Sequence, residues 1–480
     1  MAKKKQSQTS QSAPEAGIKP APATDERKDA QPVGLAPDGS AIASNTSAQS
    51  ILFNNNAHKA AQLITLAALY SPISQLSLSP VYGTAQSGLY HRWCALGTAL
   101  AAFLCISFLQ RYIPKRIVDI TPAFAFWIPT LQFFLFKYSS VLPMPYGPLI
   151  TEALTYYPLL FLSLYAAGQF FSKVDLSAFN QTLAEQLPSA SAYLLFTGIS
   201  RTARDFIPIY MGSNVVFSRV GLQVFIAGLY GLSLPTAILW PTVPALAFTM
   251  LANVHNPLQR TTDVLNNTLA LNNYTLLERR ESLTGYISVL ENTKDEFRVM
   301  RCDHSLLGGE WTTPPPKGQR PRVKEPIFAI FAMLEAVRLV EPEAGKPRLL
   351  DSQKRALNIG LGVGTAPSAM IAHGIPTTII ELDPVVHEFA LKYFDLPSNH
   401  TVVVGDALQV VQQMTTNVNS RYDIIIHDVF TGGAEPVELF TLEFLSNLAA
   451  LLRPDGVIAI VRLLPSKIPQ AAQIPCDIET

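Results

Sequence analysis

The chain has 480 residues, room for two or three domains, and only 15% of them are charged, against about 25% in an ordinary soluble protein. Lysine plus arginine balances aspartate plus glutamate at 36 each, which excludes the basic field that draws in nucleic acid. Cys94, Cys105, Cys302 and Cys476 stand at no metal-binding spacing and read as inert thiols in a reducing setting, so no metal centre is expected.

Residues 1–54 are rich in Ser, Ala, Pro and Gln without apolar periodicity and are predicted to be a disordered tail. Lys3, Lys4 and Lys5 are not followed closely by an apolar stretch, which argues against a cleaved signal peptide. Apolar runs then follow at roughly 60–80, 93–110, 121–142, 147–171, 215–233 and 235–252. Several reach the ~20 residues that a bilayer core requires. Residues 55–255 are therefore predicted to be a membrane domain of about six helices, with Trp93, Tyr112, Trp127, Tyr146 and Trp240 as interfacial rings. The last two runs, split by Leu234-Pro235, read as a tight helical hairpin.

Basic residues cluster after the second run (Arg111, Lys115, Arg116) and after the fourth (Lys173, Arg201, Arg204, Arg219), with none after the third. Six spans satisfy this alternation with both ends in the cytosol, so the C-terminal half is expected there and the sequons at Asn180 and Asn273 are expected to stay unmodified. A helix through Arg201–Asp205 would add a seventh span and reverse that parity. Glu152 and Lys137 sit near run ends, where snorkelling accounts for them without a transport role.

From about Leu258 the composition becomes that of a soluble domain. Residues 285–291 and 296–302 flank the turn-like Asn292–Asp295 and predict a β-hairpin. A Pro-rich loop follows at 314–318, then an amphipathic helix at 325–340. Thereafter strands (356–360, 377–382, 401–404, 423–427, 457–461) alternate with helices (366–373, 385–394, 407 onward, 437–452). This pattern builds a parallel sheet with helices on both faces. The sequence thus predicts a multi-pass α-helical membrane domain followed by an α/β Rossmann-like domain of the class I methyltransferase type. A small N-terminal β-hairpin subdomain at 280–345 precedes the nucleoside-binding domain at 350–465, and 466–480 form a tail.

Gly360, Gly362 and Gly364 leave the first strand where a ligand meets a helix N-terminus. Glu381 stands about 20 residues on, at the spacing of a ribose-binding carboxylate. Asp406 ends the third strand. Thr365-Ala366-Pro367 opens the next helix without the further glycine of a dinucleotide loop, so a nucleoside thioether such as S-adenosylmethionine or its decarboxylated form fits better than a dinucleotide.

Over about 280–462 these residues resemble the spermidine/spermine synthase family and, more loosely, class I methyltransferases. The resemblance rests on Ile359-Gly-Leu-Gly-Val-Gly364, Glu381-Leu-Asp383, Gly405-Asp406-Ala407, Tyr422-Asp-Ile-Ile-Ile-His-Asp428 and Glu438–Phe444. It implies that Gly360, Gly362, Gly364, Glu381, Asp383, Asp406 and Ala407 bind the nucleoside, with Glu381 on the ribose and Asp406 on the adenine amine. It makes Asp428 the catalytic base. The chain departs from the family at Val363, near the place of an acidic residue, and at Val429–Thr431, where a second carboxylate is missing. Glu435 is a partial substitute. The tail from Lys467 shows no further strand–helix pattern, so the domain is expected to stop short of its relatives.

Three functions stay open. One is aminopropyl transfer from decarboxylated S-adenosylmethionine to an amine, as in polyamine biosynthesis. The second is methyl transfer from S-adenosylmethionine, which needs no polyamine cradle. The third is an inactive membrane scaffold. The expected partners are a small-molecule or protein amine acceptor and a lipid bilayer, with no nucleic acid, and a homodimer is allowed.

Overall fold

The computed structural model describes residues 54–461 except 105–107, 109–114, 143–145, 178, 235, 304, 316, 319–320, 343–344, 346, 417–420 and 430–435. The expected tails and Glu435 lie outside the described residues.

The apolar runs form helices: α1 (Asn55–Tyr82), α2 (His91–Leu104), α3 (Thr121–Phe136), α4 (Tyr146–Leu154), α5 (Tyr156–Phe171), α6 (Gln181–Tyr210), α7 (Arg219–Ser233) and α8 (Thr242–Leu251). α1 is the central rod, packed against α5, α6 and α7, while α7 and α8 both pack on α3. The core between them holds Leu63, Ile64, Tyr70, Leu159, Tyr165, Ile226 and Tyr230.

The bundle departs from the expected six spans in three ways. The fourth run is broken into α4 and α5, bent by 43°. The segment after it, read as a charged connection with a helix through Arg201–Asp205 as the alternative, is the 30-residue helix α6, capped by the Asn180 side chain accepting from the Leu183 amide. Few α6 side chains are buried (Ala192, Ser200, Ala203), so its apolar stripe is too narrow to register as a run. Finally, among the described residues one helix, Val118–Phe136, is long and apolar enough to cross a membrane, with α4–α5 a second if that bent pair is one span. Glu152, expected at a span end, is 1% exposed inside the bundle.

The C-terminal half begins with α9 (Gln259–Ala270). In place of a hairpin stands a four-stranded antiparallel sheet, β1 (Tyr274–Glu281), β2 (Tyr286–Asn292), β3 (Phe297–Cys302) and β4 (Ser305–Trp311), ordered β1-β2-β3-β4. Period-two alternation gives it two apolar faces. Leu276, Leu290 and Val299 pack with Leu269 of α9. Ile287, Val289 and Met300 pack on Val386, Phe389 and Ala390 of the Rossmann-like domain. The helix expected at 325–340 is shorter: α10 (Ala329–Glu335) followed by a 3-10 turn.

The Rossmann-like domain follows the predicted alternation: β5 (Ala356–Ile359), α11 (Thr365–Ala372), β6 (Thr377–Glu381), α12 (Pro384–Tyr393), β7 (Thr401–Val404), α13 (Ala407–Thr415), β8 (Tyr422–His427), α14 (Leu442–Ala450) and β9 (Leu452–Ile460). All five strands are parallel in the order β7-β6-β5-β8-β9. The chain therefore reverses direction across the sheet between β5 and β8, and ligands bind such sheets in the crevice at the strand C-termini there. Leu357, Ile359 and Ile425 face α13 and α14, while Ile424 and Ile426 face α10 and α11.

Candidate nucleoside site

Gly360 and Gly362 have φ of +82° and +55° and Gly364 is left-handed at +84° as the N-cap of α11. The first two are also forced by space. A Cβ on Gly360 would stand 2.1 Å from the Asp428 carbonyl oxygen, and one on Gly362 would stand 2.5 Å from that of Leu307. The loop is thus pressed between β8 and β4, and only glycine fits both places.

Glu381 ends β6 beneath this loop. Its carboxylate accepts the amides of Leu361 and Asp383, each at 2.9 Å. Burial pushes its pKa up to about 7, against the lowering effect of those amides. With the Leu382 amide also bonded to it, the carboxylate keeps an acceptor position for a ribose hydroxyl. Asp406 is half-buried at the end of β7 and caps α13 by accepting from the Leu408 amide at 3.0 Å, leaving its second oxygen free of that cap. Ala407 is buried in the core under α13 and offers the site only backbone.

Asp383 has a different role from the one its motif implies. It is fully buried, and it accepts from Ser282 Oγ (2.6 Å), the Thr284 amide (3.1 Å), Thr284 Oγ1 (2.6 Å) and the Val385 amide (2.9 Å). Four donors saturate a carboxylate, so Asp383 fastens the β1–β2 turn to the Rossmann-like domain and caps α12 rather than holding a nucleoside.

Asp428 lies just past β8, its amide donating to Ile359 O at 3.0 Å. It lines a narrow crevice with Leu307, Phe331, Leu361, Val363, Ala366 and Pro367. Burial raises its pKa to about 6, the range suited to a general base at neutral pH. Phe331 read from the sequence only as part of the apolar face of the 325–340 helix, and Leu307 was not singled out, although the Gly308-Gly309 pair beside it signals a close backbone approach. Indeed, Gly308 (φ +140°) lies against Val363, whose side chain a Cβ there would meet at 2.8 Å. Among the described residues no three His, Cys, Asp or Glu side chains converge on a metal position. Burial also pushes the Cys302 thiol up to about 12, away from reactivity.

The spermine/spermidine synthase domain family matches residues 345–467. The N-terminal histidine N-methyltransferase of Emericella nidulans is 46% identical over 402 residues, covering 83% of this chain and 72% of that protein. A polyamine aminopropyltransferase of Vibrio vulnificus is 31% identical over 208 residues, 40% of this chain and 61% of that protein. Two solved structures align weakly. Human methyltransferase-like protein 13 in complex with SAH gives a TM-score of 0.21 at 23% identity over 26% of this chain and 60% of that one. A probable spermidine synthase from Corynebacterium glutamicum gives 0.29 at 19% identity over 38% and 61%. The Rossmann-like assignment rests on the strand order and the glycine loop.

Proposed function

Because the chain belongs to the family of the N-terminal histidine N-methyltransferase, we propose that it transfers the methyl group of S-adenosylmethionine to the N-terminal histidine of a protein acceptor. The chain is a transferase, and its co-substrate is S-adenosylmethionine or the decarboxylated form, as for its relatives. Choosing methyl over aminopropyl transfer rests on one observation. Asp428 is the sole carboxylate among the described residues of a crevice whose other walls are Leu307, Phe331, Leu361, Val363, Ala366, Pro367 and Thr365. A polyamine carries several positive charges and needs several carboxylates, whereas a neutral imidazole fits apolar walls with one acidic group.

When bound, the co-substrate supplies an electrophilic methyl group on a sulfonium. The chain's own residues supply the rest. Glu381 receives the ribose hydroxyls and Asp406 the adenine amine. The positive φ angles of the glycine loop let its backbone approach the nucleoside. Leu307 and Phe331 wall water away from Asp428. The unprotonated ring nitrogen of the neutral imidazole bonds to the methyl carbon as the carbon–sulfur bond of the sulfonium breaks, and the proton on the other ring nitrogen passes to an Asp428 carboxylate oxygen.

Full-length protein is incubated with labelled S-adenosylmethionine and a peptide beginning with histidine. Methyl transfer to the histidine ring is expected, and none to the same peptide preceded by an added residue. Aminopropyl transfer from the decarboxylated compound to a diamine, with no methyl transfer, would sink the reading.

The helical half we read as a membrane anchor. The longest apolar helix and the bent α4–α5 pair support this, as do the apolar side chains turned outward on the bundle, among them Leu194, Leu232 and Trp240. With α6 counted, the helical rods among the described residues number seven; if each of them crosses, the odd number puts the catalytic half across the membrane from the N-terminus. The exposed sequon asparagines Asn273 and Asn399 test this. Glycan at either, read as an endoglycosidase-sensitive mobility shift, supports the odd count, and unmodified protein in alkali-resistant membranes supports the cytosolic orientation of six spans.

A further inference from the structure

α1 carries four serines from Ser71 to Ser79, and they divide into two kinds. Ser77 and Ser79 return to their own helix, donating to Ile73 O and Leu76 O, as helical serines do. Ser71 and Ser74 turn to side chains of other helices instead. Ser71 Oγ lies 2.7 Å from His91 Nε2, and Ser74 Oγ donates to Glu152 Oε1 at 2.7 Å. His91 Nδ1 meets Glu152 Oε1 at 2.7 Å and Oε2 at 2.9 Å, and Tyr157 OH donates to Oε2 at 2.8 Å.

An ionised carboxylate only accepts, so the proton of a neutral His91 ring sits on Nδ1 and Nε2 is the acceptor facing the Ser71 hydroxyl. Hydroxyl, imidazole and carboxylate are thus joined in the sequence that activates a serine nucleophile: base within hydrogen-bond reach, base oriented by a third group. The break between α4 and α5 places Glu152 and Tyr157 on this one cluster, with the His91 ring stacked on Tyr156 at 5.3 Å.

The cluster is not sealed in the core. Ser71 and His91 line a cavity of about 540 Å³ between α2 and α6. Its walls are apolar at Leu96, Phe103 and Phe196, and it is also lined by Arg92, Arg201 and Arg204, which outnumber the single carboxylate there, Asp205. Trp93 and Tyr193, also lining it, are 71% and 53% exposed. The shape and charge suit an amphiphile with a long apolar chain and an anionic head.

We propose that Ser71, His91 and Glu152 form a second catalytic site, hydrolysing a carboxylic ester of an anionic long-chain amphiphile. Ser71 Oγ bonds to the ester carbonyl carbon while its proton passes to His91 Nε2, and Glu152 holds the resulting imidazolium. The carbonyl carbon–oxygen bond to the alcohol then breaks, and the alcohol leaves with the His91 proton. Water, deprotonated by His91, attacks the acyl-serine, releasing the carboxylic acid and restoring Ser71. This activity is independent of methyl transfer at Asp428.

The test uses full-length protein in detergent and a fluorophosphonate with a long alkyl chain. Peptide mapping of the unmutated protein is expected to find the adduct on Ser71, with at least tenfold slower labelling in His91→Gln and Glu152→Gln and unchanged labelling in Ser79→Ala. Asp428→Asn is expected to label normally. No adduct, or an adduct on any other residue, in protein that still transfers methyl overturns the proposal.

Discussion

Glu381 accepts the amide hydrogen of Leu361 at 2.9 Å, so the residue expected to hold the ribose also fixes the middle of the glycine loop. Side chain and loop are therefore a single unit, and perturbing either changes both.

The burial that raises Glu381 to about 7 makes co-substrate affinity depend on pH. Ribose hydroxyls bond best to the ionised form, which prevails above the raised pKa and is lost as pH falls through it. Affinity is expected to climb roughly tenfold between pH 6 and pH 8, given an ionised fraction near one tenth at pH 6. Proton release on binding is expected across the same window. Calorimetry in buffers of differing ionisation enthalpy reads both, and in Glu381→Gln the pH dependence is expected to vanish with weaker binding throughout.

For Asp428, also raised by burial, to about 6, turnover is expected to rise as pH increases through that value and then level off. Asp428→Asn keeps the shape of the side chain and removes the base. We expect kcat to drop by about 10²–10⁴ with co-substrate affinity nearly unchanged. Equal loss of binding would move Asp428 from proton acceptor to nucleoside ligand.

At Gly360 a substitution meets two obstacles, the positive φ and the Asp428 carbonyl 2.1 Å from a new Cβ. Gly360→Ala is expected to lower stability by about 1–3 kcal/mol and to abolish co-substrate binding by forcing the glycine loop away from the Asp428 backbone. Gly374, with φ +80° and open space around it, carries the first obstacle alone. Gly374→Ala should lose some thermal stability and keep binding.

Asp383→Ala strips the partner from Ser282, Thr284 and the Val385 amide in a fully buried place. A loss of about 3 kcal/mol is expected, seen as a lower thermal midpoint. Because the residue does not face the nucleoside, surviving folded protein should bind co-substrate normally at low temperature.

Arg219 lies at the junction of bundle and catalytic half, its guanidinium donating to Glu281 Oε2 at 3.2 Å and Leu76 O at 2.7 Å. Arg219→Met leaves the 3%-exposed Glu281 carboxylate without its counter-charge. A destabilisation of about 3–5 kcal/mol is expected, and adding Glu281→Gln should recover part of it in a thermal melt.

The Rossmann-like half was legible because its signals are local. Apolar strands of four to six residues, each followed by a turn residue and a helix, are bounded almost where β5 to β8 and their helices lie. Gly360, Gly362, Glu381 and Asp406 lie at the C-terminal ends of adjacent parallel strands, a placement that the strand–helix alternation alone dictates.

What failed depended on distant partners. β1 contains Glu278, Arg279, Arg280 and Glu281, too charged to read as a strand, yet Arg280 pairs with Glu388 on α12 and Arg279 donates to Val254 O. β4 was hidden by Gly308 and Gly309, which no propensity scale favours in a strand but which close approach to Val363 and Val299 demands. Asp383 shares the Glu-x-Asp spacing with Glu381, and only the β1–β2 turn packed on it shows which of the two is already saturated. α6 stood only as the alternative helix through Arg201–Asp205, because most of its side chains face outward.

The four bonds on Asp383 also bear on how this protein could be recombined with its relatives. Ser282 and Thr284 belong to one folding unit and Asp383 to the next, so a crossover between them separates donors from acceptor. Chimeras that exchange the Rossmann-like segment will need to carry the β1–β2 turn with it, as a matched set, or inherit a buried carboxyl with only the Val385 amide left to face it.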